Sequence, residues 1–135
     1  MAHMGLAQCA AQKSDRKLAE EIYPELDRLD ILFPISGAFT EPLPYFLARL
    51  AEVMGDYDDA ERRFQEAYQV CKEAPSVPGM GWVCLDFSNM LLNRDAPGDS
   101  DRASQLQDEA IEIAQNTGMK PLLTQVLAKR EILKA

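Results

Sequence analysis

The feature that most constrains this chain is a recurrence. Three blocks, 15–23, 56–64 and 99–107, each open on an acidic or small polar stretch suited to a helix N-cap, then continue with helical spacing. Each places an alanine five or fewer residues after its opening. These alanines stand at positions 19, 60 and 103, steps of 41 and 43 residues. A unit of that length holds two helices and a turn. Such a pair leaves an apolar face that only a neighbouring pair can cover, so the chain is expected to stack helical hairpins.

A second helix precedes each block. Residues 6–13 are short and Ala-rich. Over 43–54, Leu43, Phe46, Leu47, Leu50, Val53 and Met54 recur at helical spacing, and over 82–92 so do Trp82, Leu85, Phe87, Met90, Leu91 and Leu92. Pro42 and Pro44 suit a first turn. After the third block, Leu106, Ala110, Ile111, Ile113 and Ala114 share a face, Gly118 stops the helix, and Pro121 starts a last one that runs to about residue 134. No segment reads as a strand. Residues 30–40 read as a long apolar loop turning at Gly37, and Ala96-Pro97-Gly98 as a turn. Pro24 is expected to kink or split the first block's helix near Tyr23.

These elements imply an all-α fold: a right-handed superhelix of antiparallel hairpins over 5–30, 41–74 and 80–117, closed by a capping helix over 120–134. The 135 residues suit one domain spanning 5–135, after Met1-Ala2-His3-Met4, which reads as a cloning remnant. The only histidine, His3, lies in that remnant, so a Ser-His-Asp triad, a Cys-His pair and a histidine metal site have no imidazole to use. Cys9, Cys71 and Cys84 form no close pair and read as reduced thiols of a cytoplasmic protein. The net charge of -8 disfavours nucleic acid and favours a basic partner. No apolar run is long enough to span a bilayer. The phosphate-binding glycine motifs are missing, and no cofactor is implied.

The strongest local signal is Gly55-Asp56-Tyr57-Asp58-Asp59-Ala60-Glu61-Arg62-Arg63-Phe64-Gln65-Glu66-Ala67. Gly55 can end one helix at positive φ, and Asp56 can cap the next. Tyr57 can plug the hairpin corner, Ala60 stays small where helices cross, and Phe64 and Ala67 continue its face. This pattern, Gly-x-Tyr-x-x-Ala-x-x-x-Phe-x-x-Ala, resembles the second half of a tetratricopeptide repeat. Leu47-Ala48 resembles the large-small pair that receives Ala60, while Pro44 stands where the early Trp of that pattern belongs. The first hairpin keeps Ala19 and Tyr23, with Ser14 in place of the Gly. The third keeps Ala103 and Ala110, with Gln107 in place of the Phe.

A narrower resemblance runs through Asp86-Phe87-Ser88-Asn89-Met90-Leu91-Leu92-Asn93-Arg94, Ala96-Pro97-Gly98-Asp99, Asp108-Glu109-Ala110-Ile111-Glu112-Ile113-Ala114 and Gly118-Met119. It is similar to the C-terminal helical-repeat regions of large bacterial signalling proteins, which join an ATP-binding module to a nucleotide cyclase, a protein kinase or a LuxR-type DNA-binding domain. The resemblance implies a non-catalytic regulatory scaffold, part of a longer signal-transduction or transcription-regulatory chain. Its partners would be a protein or peptide, or other domains of that chain. The alternative is a structural homo-oligomerisation module, with the array edge pairing to itself as a homodimer.

In stacked hairpins the first helices line the concave side. The candidate groove residues are then Tyr45, Arg49 and Glu52 on one helix, and Trp82, Leu85 and Asn89 on the next, with Leu85 read as core. Adjacent carboxylates such as Asp58-Asp59 and Asp108-Glu109 diverge by about 100° on a helix, so they read as solvated faces. Asp95, Asp99 and Asp101 lack the spacing of a calcium loop and read as a turn and cap.

Overall fold

In a computed structural model, residues 9, 10, 13, 15–28, 42–73 and 77–134 are described, apart from the side chains of 77, 78 and 131–134. The described chain is all-helical. Its helices are α1 (Arg16–Asp27), α2 (Leu43–Val53), α3 (Tyr57–Glu73), α4 (Val77–Arg94), α5 (Asp99–Thr117) and α6 (Lys120–Lys134). Residues 9, 10 and 13 also have helical backbone. The expected loop over 30–40 lies outside the described residues.

Local sequence sets the helix ends. Asp15 caps α1, its carboxylate accepting from the Leu18 N–H at 3.1 Å. Asp56 does the same for α3 through the Asp59 N–H, also at 3.1 Å. Between α2 and α3 the chain closes a Schellman turn: Gly55 has φ +81°, its N–H reaches the Glu52 carbonyl, and the Asp56 N–H reaches Ala51. Gly118 repeats the device at the end of α5 with φ +71°, and the Met119 N–H reaches Ala114.

Each helix packs on the next in sequence, and α4 also meets α2 and α6. α2 and α4 bury residues on more than one face because they are covered on several sides, and each keeps one polar strip. The outer helices bury one stripe each: Ala19, Ile22 and Leu26 on α1; Ala60, Phe64, Ala67 and Cys71 on α3; Ala103, Gln107, Ala110 and Ala114 on α5. Phe64 stacks on Phe87 with ring centroids 5.3 Å apart. Ala48, on α2, is also sealed, and Tyr57 packs partly buried at the α2–α3 corner.

Four polar pairs join residues 41 positions apart. Tyr45 bonds Asp86, Asn93 bonds Glu52, Tyr68 bonds Glu109 and Arg102 bonds Glu61. Two link α2 to α4 and two link α3 to α5. The offset differs by two from the alanine step of 43 over the same part of the chain, so these pairs join neighbouring helices at places near, but not at, the matching sequence positions.

Several expectations need correction. Pro24 does not split its helix: α1 runs from Arg16 to Asp27 with Pro24 inside. The lost bond would go to the carbonyl of Glu20. Glu20 and Pro24 are both exposed, so water can take its place, while Ala19, Ile22 and Leu26 hold the other face in the core. α4 starts at Val77, ahead of the expected hairpin start at 80, because Pro78 falls in the first turn where no N–H is needed. Asp59 and Glu109 are not simply solvated. Asp59 accepts from Tyr23 of α1, and Glu109 accepts from Tyr68 and from the Cys84 thiol.

Candidate functional site

α2 and α4, with Tyr57 at the start of α3 and Lys129 on α6, line a half-open polar pocket of ≈ 390 Å³. Arg49, Glu52, Val53 and Tyr57 line one wall, Asp86, Asn89 and Asn93 another, and Lys129 closes it from α6. Spacing explains the set. Arg49, Glu52 and Val53 recur at steps of 3 and 4 along one strip of α2, as Asp86, Asn89 and Asn93 do on α4.

Tyr45 lies behind the lining residues Arg49 and Asp86 and bonds both. Its ring is buried and meets Phe46 edge-on at 5.1 Å, and its hydroxyl donates to Asp86 Oδ2. The Arg49 guanidinium lies 5.7 Å from the Tyr45 ring centroid and donates to its hydroxyl at 3.5 Å. Asn93 Nδ2 donates to Glu52 Oε2 at 2.8 Å. Asn89 Oδ1 is sealed from solvent and has no hydrogen-bond partner among the described residues.

Burial pushes the Asp86 carboxyl above the usual carboxylate range, against the opposing pull of Arg49, the Tyr45 hydroxyl and Lys129. Asp86 is hemmed in by protein atoms yet keeps some solvent contact. Burial also raises Glu52, and the nearby Asp86 adds to the rise, while the Asn93 bond and Arg49 oppose it. The two acids face the pocket from different helices, and burial raises both.

Of the candidate groove residues, Arg49, Glu52 and Asn89 line this pocket together. Tyr45 does not line it; it is buried and reaches the pocket through its bonds to Asp86 and Arg49. Leu85 is buried, and Trp82 packs half-buried beside it on the core between α4, α5 and α6, away from the pocket. Asp86, Asn93 and Lys129 were not singled out by sequence reasoning. Asp86 and Asn93 lie 41 residues after Tyr45 and Glu52, whereas the alanine step over that part of the chain is 43, so the period did not point to them.

No family model, curated protein or solved structure matches this chain. Among the described residues, no helix is long and apolar enough to cross a membrane, and no three His, Cys, Asp or Glu side chains are grouped to hold a metal ion.

A smaller pocket of ≈ 330 Å³ opens between α3 and α5, lined by Tyr68, Phe87, Arg102, Leu106 and Glu109 among others. Arg102 lies 5.6 Å from the Phe87 ring centroid. Burial and the bond to Glu109 push the Tyr68 hydroxyl up to about 12, and burial raises the Cys84 thiol beside them. A thiol held protonated is a poor nucleophile.

Proposed function

We propose that this chain is a tetratricopeptide-like superhelical domain that binds a peptide or protein segment in the groove formed by α2, α4 and α6. It would act as a non-catalytic regulatory scaffold within a longer bacterial signalling or transcription-regulatory protein in the cytoplasm. The observation that carries the reading is the polar pocket shared by the three helices. The Gly55-to-Ala67 motif, the buried Ala19, Ala60 and Ala103, and the cross-hairpin pairs at an offset of 41 support the architecture. The pocket lining carries acids, amides and cations but no histidine, serine or cysteine, which favours holding a ligand over turning it over.

Selection from a random peptide library displayed on phage tests this. A consensus should emerge on the wild-type domain and disappear on Arg49→Ala and Asn89→Ala proteins that keep their thermal midpoint. A consensus indifferent to both substitutions would refute the groove. Self-association is the second reading, favoured by Leu127, which leaves 46% of its surface exposed on α6. Light scattering across a concentration range that finds only monomer would remove it.

A further inference from the structure

The smaller pocket differs in kind from the polar one. It opens between α3 and α5, and Tyr68 of α3, Phe87 of α4 and Leu106 of α5 give it apolar walls. The ionic groups in its lining are already bonded within the chain. Arg102 bonds Glu61 and lies 5.6 Å from the Phe87 ring centroid, while Glu109 accepts from the Tyr68 hydroxyl at 2.8 Å and from the Cys84 thiol at 3.6 Å. A guest therefore meets apolar surface, with the exposed amides of Gln65 and Gln105 at the rim. The volume of ≈ 330 Å³ has room for one large side chain.

The surface beside the pocket is acidic. Asp101, Gln105, Asp108 and Glu112 recur at steps of 4, 3 and 4 and are all exposed. They form one strip of α5 next to the lining residues Arg102, Leu106 and Glu109. Arg130 of α6 engages Asp108, whereas Asp101 and Glu112 have no ion pair among the described residues.

We propose that this pocket takes a large uncharged side chain, leucine or an aromatic, from a partner peptide whose flanking residues are basic. The anchor leaves water for Phe87, Leu106 and the Tyr68 ring, and the Gln65 and Gln105 amides can bond the peptide backbone beside it. A charged anchor would lose its water with no free counter-charge to meet, since Arg102 and Glu109 are both bonded already. Lysine or arginine next to the anchor faces Asp101 and Glu112 along the exposed strip, which sets the choice of partner. Phe87 is turned by about 100° from Asp86 on α4, so the two pockets open on different sides of that helix and this site does not rest on the groove.

The test titrates four peptides with blocked ends into the full chain at pH 7.5 and low salt, with amide resonances followed by NMR. They are acetyl-Lys-Gly-X-Gly-Lys-amide and acetyl-Glu-Gly-X-Gly-Glu-amide, each with X = Phe or Ala. The Phe peptides should shift Tyr68, Leu106 and Glu109 and leave Arg49, Glu52 and Asn89 in place. The Lys-flanked Phe peptide should bind at least tenfold tighter than its Ala counterpart. It should bind about threefold tighter than the Glu-flanked Phe peptide, a margin that vanishes at high salt. Leu106→Phe, which fills the pocket, should abolish the preference for Phe over Ala. Glu112→Lys, on the exposed strip, should remove the preference for lysine flanks, which keeps the test decisive if Leu106→Phe disturbs folding. Equal binding by Phe and Ala peptides, or shifts confined to the α2–α4–α6 pocket, would overturn the proposal. Equal or tighter binding of the Glu-flanked Phe peptide at low salt would overturn the basic partner.

Discussion

Replacing Gly81 with alanine should destabilise the fold, although alanine is the better helix former. Gly81 lies inside α4, where the substitution alone would stabilise by about 1 kcal/mol. A Cβ built there would sit 2.5 Å from Leu122 Cδ2 and 3.2 Å from Ile113 Cγ2. Carbon atoms pack comfortably at roughly 3.5–4.0 Å, so about 1 Å of movement is required. Leu122 is fully buried and has little room to give it. Overpacking of this kind costs about 1–3 kcal/mol, which outweighs the helical gain in most of that range. Urea unfolding of wild type, Gly81→Ala, Leu122→Val and the double variant would measure the balance. Leu122→Val should cost about 1 kcal/mol alone and less in the Gly81→Ala background, where it relieves the clash. A Gly81→Ala protein more stable than wild type, with additive effects in the double variant, would refute the close contact among α4, α5 and α6.

Three further outcomes follow from the same geometry. The Arg94 guanidinium, bonded to Asp99 at 2.8 Å through two nitrogens, holds that carboxyl down to about 2. A depressed carboxyl stabilises the fold above its unfolded value near 4 and loses that effect as pH falls toward 2, so acid unfolding of Asp99→Asn should be flatter across that window. Asp86→Asn should raise the thermal midpoint at pH 7, because burial opposes the charge there while an amide oxygen can still accept from Tyr45; the gain should shrink as acid protonates Asp86 in the wild type. Gly55→Ala meets no neighbour within 4 Å, so calorimetry should show only the cost of a left-handed alanine, about 1–2 kcal/mol.

What the sequence made legible was local. Asp15 and Asp56 are caps that need only the next three residues. Gly55 and Gly118 are turn residues, and the stripe Ala60, Phe64, Ala67 is a period along one helix. The contacts it hid depend on a partner far along the chain. Gly81 looks like a helix fault until Leu122 is seen against it. Asp59 and Glu109 look like solvated charge until Tyr23 and Tyr68 reach them from neighbouring helices. Gln107 looks like a defect in the repeat, yet it lies buried on α5 and accepts from Arg130 Nε at 3.3 Å. In the pocket, Arg49, Glu52 and Asn89 could be named because they share helix faces. Lys129 could not, because only the packing of α6 beside α4 brings it there.

The polar pairs at an offset of 41 bear on register as well as on stability. Apolar faces alone tolerate sliding, since leucine packs on leucine with little regard for partner. Tyr45 with Asp86, Glu52 with Asn93 and Glu61 with Arg102 cannot slide by a turn without leaving half-buried acids unpaired, which costs more than an exposed ion pair gains. Two of these pairs also border the groove. The groups that fix one hairpin against the next thus set the shape and charge of the candidate binding pocket. Substitutions such as Asp86→Asn should therefore separate the two roles: the hydrogen bond to Tyr45 survives, the register holds, and only the charge of the pocket changes.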